Sequence, residues 1–229
     1  MKLLIGCILI FSSVLANIAR AQFGVPWGYV PKITVMGSEG DARLSLVDEA
    51  VSYWNKMLEE VGSGFRLGPI THVTQPIPEE ALQSLSQSIV ERRGGPLYVP
   101  PVLREAPGDL TIFLGDSGFV SFAGPFDAHA KRVVGIRGAN IPPMNQPNVA
   151  RNVIAHEIGH AIGLGHNSNS SMLMCGRPAA CRPIAFRSDE PRVFPLTDDE
   201  KRQLLGLYPP EWKPKIAMSP HIRLPPKLR

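Results

Sequence analysis

Long apolar runs are almost missing from this chain. The one near the start, residues 3–15, falls short of the roughly twenty residues a membrane-spanning helix needs, so no stable membrane insertion is expected. Charge of one sign is missing too. Lys and Arg number 24 against 20 Asp and Glu, and removal of Lys2 and Arg20 with a leader would halve that surplus, which does not argue for nucleic acid, and no nucleic-acid partner is expected. Cysteine is sparse, three residues in all: Cys7, Cys175 and Cys181. There is no internal repeat. With 44% apolar residues, 229 residues suffice for one sizeable core without a second domain.

What is present begins with a leader. Lys2, the apolar run and Ala19-Arg20-Ala21 before Gln22 read as a cleaved signal peptide over residues 1–21, which would carry Cys7 away. The expected location is secreted and extracellular, or periplasmic in a Gram-negative bacterium. The remaining pair, Cys175 and Cys181, would sit in an oxidising compartment, where a short disulfide loop is expected over free thiols or an extra metal ligand.

Apolar alternation at Ile33 and Val35 predicts a strand over 29–36, and the spacing of Leu44, Val47, Val51, Trp54 and Leu58 predicts a helix over 41–61 closed by Gly62. Strands are also expected at 109–114 and 132–137. The Pro-rich stretch 75–107 has room for a helix over 79–92. A helix over 148–162 follows Pro147, and Thr197-Asp198-Asp199-Glu200 is a capping box opening a last helix that ends near Tyr208-Pro209-Pro210. Beyond it, residues 210–229 form a Pro-rich basic tail, expected to be solvated or packed on the surface.

The chemistry is concentrated in His156-Glu157-Ile158-Gly159-His160-Ala161-Ile162-Gly163-Leu164-Gly165-His166. His156 and His160, four apart on a helix, share one face and can reach one ion. His166 would point away if the helix continued. Gly163 can end it, because glycine takes a left-handed conformation without a Cβ penalty, and the turn can bring His166 back as third ligand. Three neutral imidazoles leave a fourth tetrahedral position for water, the arrangement of a catalytic zinc. Glu157, rotated about 100° from the first ligand, flanks the metal as candidate general base. Five such fixed positions coincide by chance on the order of once in 10⁵ chains of this length.

These residues resemble the metzincin metalloproteases, and within them the matrixin branch, in a short, prokaryotic-type form. That resemblance implies an α+β, zincin-like catalytic domain over 22–209: a twisted mixed β-sheet, long helices, an active-site helix and a C-terminal helix after a methionine turn. Met174, eight residues past His166, stands where matrixins place that methionine, with Met172 as second candidate. The chain departs from the branch just afterwards, having Cys175-Gly176 where Tyr-Pro is common. The implied activity is that of a secreted zinc endopeptidase acting on peptides or proteins through a metal-activated water with Glu157 as base. An extended peptide would lie along an edge strand near 119–125.

One catalytic zinc is expected, with calcium undecided and a monomer as the expected state. The structural zinc of animal matrixins is expected to be absent, because Phe126-Asp127-Ala128-His129-Ala130 offers only Asp127 and His129, and His72 and His221 have no ligand-spaced partner. No cysteine-switch propeptide is expected. Two other readings stand open at this point: a zinc-binding adhesion or interaction module without turnover, and a zinc hydrolase of small esters or amides.

Overall fold

Strands β1 (Ile33–Met36), β3 (Leu110–Leu114) and β5 (Arg132–Ile136) pair in parallel at the middle of one sheet, and every residue in them is buried. In the computed structural model, which describes residues 25–91, 97–124, 131–177, 179–181 and 183–215, the sheet is completed by two edges. β2 (Ile70–Val73) runs parallel to β1, and β4 (Phe122–Gly124) runs antiparallel to β5, giving the order β2-β1-β3-β5-β4. The fold is α+β with a mixed sheet, as expected.

Central strands read as continuous apolar runs because helices cover both faces. Val35, Ile112, Leu114, Val134 and Ile136 face α1 (Arg43–Glu60) and α4 (Pro147–Ala161). Met36, Phe113, Phe122 and Val133 face the other way, onto α2 (Glu79–Val90) and α3 (Pro101–Arg104). The period-two alternation seen in sequence therefore sorts residues between two cores rather than between core and solvent. α1 and α4 pack together, and Trp54 at their contact is fully buried with its indole N–H donating to the Ala155 carbonyl at 2.9 Å.

Several boundaries differ from the sequence expectation. The first strand is confined to Ile33–Met36, since Tyr29 and Val30 are exposed and Pro31 has no N–H for a ladder. β2 carries no clear apolar alternation: Thr71 and His72 are exposed at the sheet edge, with His72 paired to Asp48 at 2.9 Å. The helix expected over 148–162 begins at Pro147 itself, in the N1 position that tolerates its missing donor. The last helix, α5 (Asp198–Leu207), opens on the expected capping box, in which Thr197 and Glu200 exchange side-chain and backbone bonds.

Structure also continues past residue 209. Trp212 donates to the Trp27 carbonyl and packs edge-on against Phe65 at 4.9 Å, while the Lys215 N–H donates to the Gly28 carbonyl at 2.7 Å. Residues 210–215 thus lie against the folded unit, between its first and last segments. The expected leader over 1–21 with Cys7, the Asp127 and His129 stretch, His221 and the tail beyond 215 lie outside the described residues. Among the described residues, no helix is long and apolar enough to cross a membrane.

Candidate metal centre

α4 carries His156 and His160 on one face, and its end delivers the third histidine. Gly163 has φ 106°, its N–H donates to the His160 carbonyl at 2.9 Å, and the Leu164 N–H reaches back to the Gly159 carbonyl at 3.0 Å. This paired closure on a left-handed residue is the Schellman arrangement, and it turns the chain toward His166. The helix end is also pinned from outside. The Ala161 carbonyl accepts from the Arg132 guanidinium and from the Trp27 indole at 3.0 Å, and the Ile162 carbonyl accepts from the Tyr208 hydroxyl at 2.9 Å. Arg132 stacks on the Trp27 ring at 4.0 Å and adds positive charge where the helix dipole is negative.

The three imidazoles converge through their Nε2 atoms. The sides of that triangle are 3.0 Å for His156–His160, 2.9 Å for His160–His166 and 3.2 Å for His156–His166. Nitrogens held about 2.0–2.1 Å from a tetrahedral ion lie about 3.3 Å apart, so the triangle has nearly the size that a bound zinc requires. Each ring uses its other nitrogen on a backbone carbonyl: His156 Nδ1 on Leu173 at 2.7 Å, His160 Nδ1 on Leu164 at 2.8 Å and His166 Nδ1 on Arg177 at 2.9 Å. A carbonyl can only accept, so each Nδ1 carries the proton and each Nε2 presents a lone pair to the common point. No other group of three His, Cys, Asp or Glu side chains converges in this way among the described residues.

Burial keeps these rings neutral. It pushes the His156 imidazolium down to about 4 and holds those of His160 and His166 below the usual histidine range. Neutral imidazole is the form that ligates a metal. Glu157, also on α4, is 7% exposed, and burial alone pushes its carboxyl up to about 8. A neighbouring cation would favour its ionised form.

Met174 is fully buried beneath this centre. A Cβ on Gly159 would stand 2.5 Å from the Met174 sulfur and 2.8 Å from the Trp54 ring, so the thioether rests directly on the α4 backbone. Met172 is at the surface side of the same turn, half-buried. Gly176 has a similar closeness to the third histidine: a Cβ there would meet the His166 ring at 2.2 Å. The Cys175-Gly176 departure from the matrixin pattern therefore leaves room for His166. Cys175 and Cys181 stand together with Cα atoms 5.8 Å apart, a separation that a disulfide spans, and the loop between them contains the Arg177 carbonyl.

Two residues that sequence reasoning passed over are Asn148 and Asn152. They continue the His156 and His160 face of α4 at four-residue intervals, and both are buried. Asn148 donates to the Phe186 carbonyl at 2.9 Å and accepts from the Arg192 N–H at 2.9 Å. Asn152 donates to the Arg192 carbonyl at 2.9 Å and accepts from the Phe194 N–H at 2.7 Å. They stitch the segment that follows Met174, including the short 3-10 helix Pro183–Phe186, onto α4. The available signal was two asparagines at helical spacing inside an otherwise apolar stretch, in register with the histidines.

Comparison with known proteins bears on this centre. Residues 104–208 match the matrixin family. Among solved structures, the chain is similar to archaemetzincin from Methanopyrus kandleri, at 16% identity and TM-score 0.46, over 79% of this chain and 96% of that one. It is also similar to a chain in a chaperone-substrate complex, at 16% identity and TM-score 0.44, over 78% of this chain and 35% of that one. Among curated proteins nothing matches. The matched span runs from the end of α3 through the whole histidine motif to the close of α5, and over it the chain is similar to the matrixin family.

Proposed function

We infer that this protein is a secreted zinc endopeptidase in which His156, His160 and His166 hold one catalytic zinc and Glu157 is the general base. The observation that carries this reading is the three-fold convergence of Nε2 lone pairs, each ring oriented by a backbone carbonyl, with a buried carboxylate one residue from the first ligand. Zinc in that position supplies Lewis acidity toward water and a peptide carbonyl. Glu157 takes a proton from the attacking water and delivers it to the leaving amine nitrogen, so one side chain serves both halves of the reaction. β4 lies at one edge of the sheet among the described residues, and in this reading an extended peptide adds beside it by backbone pairing. The segment 183–195, anchored by Asn148 and Asn152, supplies a wall for the substrate beyond the scissile bond. Export agrees with the leader over 1–21 and with a Cys175–Cys181 disulfide.

The test is hydrolysis of an unbiased peptide library by the purified, zinc-quantified chain. Glu157→Gln is expected to retain one zinc and lose about 10²–10⁴ in kcat/KM, and a chelator is expected to abolish cleavage. Full activity in that variant would sink the base assignment. One zinc per chain with no cleavage of any peptide would instead favour the interaction-module reading.

A further inference from the structure

Asn167, the residue directly after the third histidine, has every polar group engaged. Its N–H donates to the Met174 carbonyl at 2.9 Å, its carbonyl accepts from the Gly176 N–H at 3.2 Å, and its Oδ1 accepts from the Asn169 N–H at 2.7 Å. Its Nδ2 donates to Glu200 Oε1 at 2.7 Å. Glu200 is 5% exposed, and its second oxygen accepts from the Thr197 N–H at 2.8 Å. The carboxylate that completes the α5 capping box is therefore also the acceptor for the loop bearing His166. A capping box needs only one of those oxygens, so the second bond is not explained by helix capping.

We propose that Asn167 and Glu200 form a positioning pair that holds His166 in the metal triangle, using the buried start of α5 as anchor. The proposal rests on the zinc-site reading above. His156 and His160 are carried by one rigid helix, whereas His166 follows a turn and depends on its surroundings for placement. On its far side Arg177 sets the ring, and on the chain side Asn167 ties the backbone to the methionine turn and, through Glu200, to α5. A hydrogen bond of 2.7 Å to an acceptor shielded from water is stronger than one in solvent, which suits it to fixing a loop rather than decorating one. Neither residue reaches the reacting atoms, so both act through His166.

The test reads zinc affinity by chelator competition and, separately, the melting temperature of the zinc-free protein. Asn167→Asp sets a second carboxylate against Glu200, and Glu200→Gln keeps an oxygen for Thr197 but turns an amide toward the Asn167 amide. Each single variant is expected to weaken zinc binding roughly tenfold, as loss of outer-shell support does. The double variant Asn167→Asp with Glu200→Gln restores the bond with donor and acceptor exchanged, and is expected to recover affinity to within about twofold of the starting protein. Single variants that lower the zinc-free melting temperature yet bind zinc normally would overturn the proposal, as would a double variant no tighter than the singles. A starting protein that takes up no zinc at all would overturn the metal-site reading itself, a result separable from the other two.

Discussion

At Gly163 the backbone does something that another residue resists. With φ at 106°, a Cβ would crowd the following carbonyl, and substitution by alanine is expected to cost about 1–2 kcal/mol. The expense is not confined to stability, because the turn at Gly163 aims His166. Gly163→Ala is therefore expected to lower the urea midpoint and to weaken zinc binding together, measured by denaturation and chelator competition. A lowered midpoint with unchanged zinc affinity would show that the loop re-aims the ligand by itself. This residue was legible in sequence, since its role follows from helix geometry and the six-residue gap between His160 and His166. The Nδ1 partners were not legible, because they are main-chain carbonyls of Leu173, Leu164 and Arg177, which no side-chain identity announces.

Among the elements, α4 is the one to which both the core and the chemistry attach. One of its faces packs on α1 and the sheet, and another bears Asn148, Asn152, His156 and His160 in one register. Removing Asn152 leaves the buried Phe194 N–H without its partner and strips the half-buried Arg192 carbonyl of its donor, so Asn152→Ala is expected to lose about 1–3 kcal/mol of stability. Because those bonds hold the segment beside the metal centre, the same variant is expected to change the library cleavage profile, which peptide sequencing reads. The 175–181 loop adds a second prediction at this scale. Replacing both cysteines by serine frees the Arg177 carbonyl that orients His166, and a roughly tenfold loss of zinc affinity is expected by chelator competition. Unaltered affinity would mean that Gly176 and Asn167 suffice to place the ring. Long elements with a clear period, α1, α4 and α5, could be read in advance. β2 and α3 could not, being short, and β2 also half-exposed, so neither repeats long enough to show a pattern.

For the whole molecule, the candidate metal site joins parts far apart in sequence: the helix end is capped by Trp27, Arg132 and Tyr208, and the His166 loop is tied to α5. A metal bound only in the folded state stabilises all of them at once. At free zinc about 100 times its Kd the gain is about 2.7 kcal/mol, and for a chain of this size chelation is expected to lower the melting temperature by about 5–10 °C. Calorimetry with and without a chelator measures it. No shift on zinc addition would place the ion outside the folded unit's reach and count against the triangle as its site.

By itself the sequence determined the candidate ligand set, the helix that carries two of those histidines, the glycine that returns the third and the α+β class, because each depends on spacing within a few residues of chain. The tertiary structure alone decided what those ligands lean on. The tautomer of each imidazole, the seat of Met174 on Gly159, the stitching of 186–194 by two asparagines and the tie from Asn167 to Glu200 all join residues brought together only when the sheet and helices pack. Local spacing is written along the chain, whereas a hydrogen bond to a distant backbone atom has no residue type of its own to read.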